Sequence, residues 1–129
     1  MIDHVSLAVR DLVKSGRFYD ALLGALGMSR LREWPEAAIG YGRKYPEFWI
    51  NARKAMPGVP GDSGVHICLR ARDRASVDAF YDAALAGGGA SDGAPGFRKK
   101  YDPRYYAAFV RDLDGNRVEA VTFIEDEAR

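Results

Sequence analysis

Cysteine is nearly absent. Cys68 is the only one in 129 residues, so no disulfide can close within the chain and a reducing compartment is expected. An excess of one charge sign is missing too. Nineteen Lys and Arg against eighteen Asp and Glu leave a net charge of +1, which removes the electrostatic case for a nucleic-acid or membrane partner. No apolar run approaches the roughly 20 residues needed to cross a bilayer. The N-terminus opens on an acid and a strand-like run, so no signal peptide is expected. These exclusions leave a cytoplasmic globular protein, 47% apolar and 29% charged. Its length suits one domain with an adequate core and falls short of two independent ones.

Histidine is scarce as well, and both copies open the same phrase. His4 begins HVSLAVRD and His66 begins HICLRARD, an offset of 62 residues. The same offset aligns Phe18-Tyr19-Asp20-Ala21 with Phe80-Tyr81-Asp82-Ala83, and gives ten identities over the twenty-four positions from His4 to Gly27. An internal repeat determines architecture before any other feature is read. Here it divides one domain, 1–129, into a module at 1–56, a linker at 57–63 and a module at 64–129.

Each module reads as βαβββ. From Ile2 to Val9 the apolar residues alternate, with Val5, Leu7 and Val9 on one face and His4, Ser6 and Ala8 on the other. Asp11 is placed to cap a helix carrying Leu12, Phe18, Leu22, Leu23 and Leu26, and Gly27 to end it. Strands at Met28–Trp34, Ala37–Tyr41 and Glu47–Arg53 follow. The second module repeats the order with a strand at Gly64–Ala71 and a helix at Asp73–Ala86. A loop-rich stretch to Pro103 follows, holding a short strand near Ala90, and a hairpin pairs Tyr105–Arg111 with Arg117–Ile124 across Asp114-Gly115. One helix covers one face of each sheet. The other faces, meeting edge to edge or across a dimer, are expected to curve around a cavity, in an α+β fold of two βαβββ modules.

That open face carries the chemistry. The alternation puts His4 and His66 opposite the helix-facing residues, with Cys68 beside His66. Glu119 sits mid-strand, where a carboxylate is costly to bury without a partner. Two imidazoles and a carboxylate from three strands suit a divalent ion with open positions, and the ligand types allow Mn, Fe, Co, Ni or Zn. The bland alternatives are hydrogen-bonded structural histidines and a solvated glutamate. Arg98, Lys99, Lys100 and Arg104, interleaved with Tyr101, Tyr105 and Tyr106, form either a solvated surface run or a lid over an anionic or aromatic substrate. Tyr105 and Tyr106 fall on opposite faces. Tyr106 is the candidate for donating to an oxyanion or moving a proton, with Glu119. Phe48, Trp49, Arg98, Tyr101 and Phe109 are the candidate substrate contacts, and Cys68 reads as an inert buried thiol.

The segments DHVSLAVRDLVKSGRFYDALLGALGM, GVHICLRARD and YYAAFVRDLDGNRVEAV resemble the vicinal oxygen chelate superfamily of glyoxalases, bleomycin-resistance proteins, fosfomycin-resistance thiol transferases and extradiol dioxygenases. The resemblance implies a glyoxalase-like fold, metal ligands at His4, His66 and Glu119, a small-molecule substrate and a homodimer. It also implies lyase, isomerase or transferase chemistry on adjacent oxygens, or metal-free small-molecule binding of the bleomycin-resistance type. Phe48-Trp49-Ile50 stand where glyoxalase I usually has a fourth ligand and base. Ala8 stands where many bacterial glyoxalases have a glutathione-binding arginine. Ordinary glyoxalase I activity is therefore not expected.

Overall fold

The computed structural model describes residues 1–125; residues 126–129, the end of the second module as delimited above, lie outside the described residues. The element order is β1 (Val5–Val9), α1 (Leu12–Gly24), β2 (Ser29–Trp34), β3 (Ala38–Gly42) and β4 (Phe48–Ala52). Then come β5 (His66–Arg70), α2 (Arg74–Ala86), β6 (Ala90–Phe97), β7 (Tyr105–Arg111) and β8 (Arg117–Phe123). The βαβββ order repeats, as the sequence predicts.

Each helix starts where an aspartate accepts from a backbone N–H of the first turn. Asp11 accepts from Lys14 at 3.0 Å and Asp73 from Ser76 at 2.8 Å. Helix α1 closes at Gly24, earlier than the apolar spacing suggests, and Gly27 takes a positive φ of 84° in the turn that follows. The strand called short near Ala90 is eight residues long and runs to Phe97 despite Gly93, Pro95 and Gly96. It is the edge strand of its sheet, where a proline breaks no ladder on its free side, and its register shifts twice at the glycines.

Two four-stranded mixed sheets result, ordered β1-β4-β3-β2 and β5-β8-β7-β6. Among the described residues no strand of one sheet pairs with a strand of the other. The sheets therefore do not close around a shared cavity within one chain; each keeps an open face and a free β1 or β5 edge. The helices join them instead. Helix α1 lies against β2, β3 and β4, helix α2 against β6, β7 and β8, and the helices pack on each other. Leu7, Phe18, Tyr19, Leu22, Tyr41, Phe48 and Ile50 from the first module share a single core with Val77, Phe80, Tyr106, Val110, Val118 and Ala120 from the second.

A polar clasp reinforces that joint. Asp112, 5% exposed, accepts from the Tyr19 hydroxyl at 2.7 Å, from the Asn116 amide at 2.9 Å, and from the backbone N–H groups of Asp114 and Asn116. Asn116 also donates to the Ala8 carbonyl at 2.9 Å, and Asp114 pairs with Arg10 at 2.7 Å. The DLDGN turn of the second module is thus tied to β1 and α1 of the first.

Candidate functional site

Strand register decides which side chains share the open face of the second sheet. In the parallel β5–β8 ladder His66 faces Arg117, Cys68 faces Glu119 and Arg70 faces Val121. In the antiparallel β7–β8 ladder Phe109 faces Glu119, Ala107 faces Val121 and Tyr105 faces Phe123. His66, Cys68, Glu119, Phe109 and Tyr105 therefore stand on one surface, away from α2.

Glu119 is the centre of it. It is 2% exposed, and both carboxylate oxygens are engaged. Oε1 lies 3.1 Å from Nε2 of His66, and Oε2 accepts a short hydrogen bond from the Tyr105 hydroxyl. Loss of water, then the bond to Glu119, raises the Tyr105 phenol above its ordinary value, so this hydroxyl stays protonated as a donor. Cys68 is exposed as a residue, but desolvation of its thiol and the adjacent Glu119 carboxylate push its pKa up to about 12. It is a thiol there, not a nucleophilic thiolate.

Around this centre Tyr101 meets Tyr105 edge to face, with ring centroids 5.2 Å apart. The Arg98 guanidinium sits 5.3 Å over the Phe109 ring and donates to the Ala94 carbonyl at 2.7 Å. A small cavity of about 130 Å³ opens beside His66, Phe109, Asp92 and Arg117. Of the residues singled out in the sequence, His66, Glu119, Arg98, Tyr101 and Phe109 come together.

Four do not join them. Tyr106 points to the helix side, donating to Asp78 of α2 at 2.6 Å, so Tyr105 occupies the place considered for it. Phe48 is 1% exposed in the core against Tyr19, because it shares the parity of Ile50 on β4. Trp49 faces the open side of the other sheet, in tilted contact with Trp34, ring centroids 5.2 Å apart. His4 precedes β1, exposed, with Nδ1 2.8 Å from Asp3. Among the described residues no group of three or more His, Cys, Asp or Glu side chains gathers as a metal site.

Tyr105 was legible by counting. Positions equidistant from Asp114 pair 109 with 119, and residue 105 shares the parity of 109. The imidazole and carboxylate of His66 and Glu119 are the donor types of a borderline divalent ion and already converge. Among the described residues one chain brings two such donors together and no third.

The fold defines a class. The glyoxalase/bleomycin resistance protein/dioxygenase superfamily matches residues 1–120, and the chain belongs to that superfamily, the vicinal oxygen chelate group. No curated protein matches it in sequence. Among solved structures it is similar to a glyoxalase/bleomycin resistance protein from Albidiferax ferrireducens T118, at 34% identity and a TM-score of 0.81, over 94% of this chain and 98% of that one. A hypothetical protein from S. aureus is 25% identical with a TM-score of 0.69, covering 95% of this chain and 94% of its own. A fosfomycin resistance protein from Listeria monocytogenes shares the fold at 15% identity, with a TM-score of 0.67 over 94% and 91% of the two chains. No helix among the described residues is long and apolar enough to cross a membrane.

Proposed function

We propose that this chain is a divalent-metal-dependent enzyme acting on a small molecule through adjacent oxygens, with each site completed between two copies. His66 and Glu119 of one copy and His4 of the other would be the ligands. The observation that carries this reading is the buried Glu119 carboxylate shared by His66 and Tyr105 on an otherwise open sheet face. The repeat supports His4 as third ligand, since it holds in the first module the place of His66 in the second. A homodimer would cover two open faces and two free edges at once.

A bound divalent ion supplies Lewis acidity to two neighbouring substrate oxygens. The chain's own residues do the rest. Tyr105 keeps its proton and is placed to donate to an oxygen that gains negative charge. Arg98 and Phe109 offer a cationic and aromatic wall beside it. Trp49 stands where a second carboxylate would serve as base, so proton abstraction of the glyoxalase I kind has no residue there.

The test is metal content. Untagged protein should hold about one divalent ion per chain, and His4→Ala and Glu119→Ala should each hold almost none. Refolding the two variants together should restore about one ion per mixed dimer, because one of its two sites then has all native ligands. Absence of metal in the wild type, after exposure to Mn, Fe, Co, Ni and Zn, would remove the metalloenzyme reading. Restoration failing while the wild type binds metal would remove only the shared site.

A second reading has one observation in its favour. The paired Trp34 and Trp49 rings on the open face of the first sheet suit a planar aromatic molecule held without metal. Tryptophan fluorescence quenched by such a ligand in chelator-treated protein would support it. A fosfomycin-resistance role, which the Listeria protein suggests by likeness of fold, predicts protection of sensitive cells.

A further inference from the structure

A larger crevice lies between the modules, apart from the small cavity beside His66. Its volume is about 580 Å³, within the range of small-molecule sites, and both modules line it. Arg43 and Glu47 come from the first module, Arg70 and Arg72 from the second. Three guanidinium groups against one carboxylate leave a surplus of two positive charges, in a protein whose whole net charge is +1.

Among the described residues these arginines are positioned with little neutralisation. Arg43 donates one Nη2 hydrogen bond to the Leu26 carbonyl at 2.9 Å, which orients its remaining donors. Arg70 lies over the Phe123 ring at 5.2 Å, a contact that holds a cation without cancelling it. Among the described residues Arg72 has one ionic neighbour, Asp73 at 3.5 Å, and that carboxylate is engaged in capping α2. A further cavity of about 360 Å³ adjoins Arg43 and Arg72 and reaches Ser76. Leu26, Met28 and Leu69 supply apolar wall between the charges.

We propose that this inter-module crevice binds a small organic dianion with an apolar body, its phosphate or carboxylate groups held by Arg43, Arg70 and Arg72. Planar guanidinium forks bind either head bidentately. Confinement between two modules and the apolar wall favour a compact ligand over a polymer. Arg70 lies two residues beyond Cys68 on the same face, so the anion would sit one strand repeat from Glu119. The site does not depend on the metal reading, and its test uses no metal and no turnover.

The experiment is calorimetric titration of the chelator-treated full chain with phenyl phosphate and with phthalate at low ionic strength, beside uncharged phenol. Saturable one-to-one binding of at least one dianion, with none for phenol, is expected. Whichever dianion binds more tightly identifies the head group. Affinity should fall at least tenfold in Arg72→Gln and in Arg43→Gln, and remain unchanged in Lys14→Gln on the distant α1 surface. Glu47→Gln, which removes the opposing charge, should bind several-fold more tightly, a gain that misfolding cannot imitate. No saturable binding of either dianion, equal loss in Lys14→Gln, or unchanged affinity in Glu47→Gln would each overturn the proposal.

Discussion

The two modules share a plan, and the centres of their open faces differ. Ser6 faces Trp49 across the β1–β4 ladder as Cys68 faces Glu119 across β5–β8, and Ser6 and Cys68 are repeat partners. Trp49 is therefore the first module's counterpart of Glu119. Their neighbours on the next strand have exchanged sizes as well, since Gly40 faces Trp49 where Phe109 faces Glu119. The second module uses its open face for a buried carboxylate with an imidazole and a phenol. The first fills the same place with an indole lying over a glycine. Duplication supplied two equivalent faces, and one residue pair on each decided which became polar.

The joint between the modules carries the largest expected effect. Asp112→Ala strips the acceptor from the Tyr19 hydroxyl, the Asn116 amide and two backbone N–H groups, all buried. Each donor left unsatisfied costs about 1–3 kcal/mol, so a loss above about 3 kcal/mol in urea unfolding is expected. A value near 0.5 kcal/mol would show that the helix contact alone holds the modules together. Gly40→Ala comes next. A Cβ there would meet the Trp49 ring and Pro46 at 2.9 Å, and such crowding costs about 1–3 kcal/mol. The cost should fall but not vanish in a Trp49→Ala background, because the Pro46 contact remains. An undiminished cost would assign the glycine to Pro46 and not to the indole.

The repeat made most of this legible. It gave both modules their βαβββ order, and simple alternation put His66 on the face away from the helix, with Glu119 placed only as mid-strand. The seventh and eighth strands were readable because Asp114-Gly115 is a hairpin turn with apolar runs on both sides, and Gly115 takes a φ of 95° there. Only the start of strand β6 was readable, because Gly93, Pro95 and Gly96 carry loop chemistry and only an edge position tolerates them. The partner of His4 lay further out of reach. A sequence shows two matched histidines, but whether their sheets close within a chain depends on how the helices dock, which no local pattern encodes. The clasp was written as DLDGN, yet its use as a bolt between modules needed the positions of Tyr19, Ala8 and Arg10.

The first module also carries much of the alkaline limit on stability. Tyr19 and Tyr41 are fully buried, and burial, followed by the carboxylates of Asp112 and Asp20 respectively, raises both phenols. An unfolded tyrosine ionises near 10. Above that pH the unfolded chain loses protons that the native chain keeps, so stability falls as pH rises, by up to about 1.4 kcal/mol per pH unit for each such residue. Tyr41→Phe should remove one share of the slope between pH 10 and 12 in chemical denaturation, whatever its effect at pH 7. An unchanged slope would mean that Tyr41 ionises alike in both states.

The smallest effect concerns the face of the first module directly. Trp34 is 60% exposed and touches Trp49, so Trp34→Ala in a monomer should cost about 0.5–1.5 kcal/mol, the size of an aromatic pair. That cost is independent of protein concentration if water is all that covers the face. If a second copy seats its open face there, association and folding are linked, and the loss grows with concentration because the variant surrenders part of the interface too. Melting curves of both proteins at 2 and 200 µM separate the cases. A Tm difference that widens at the higher concentration makes the indole face a dimer surface, with His4 carried to a partner at its edge. A constant difference leaves the face free, and shifts its meaning towards a small aromatic ligand.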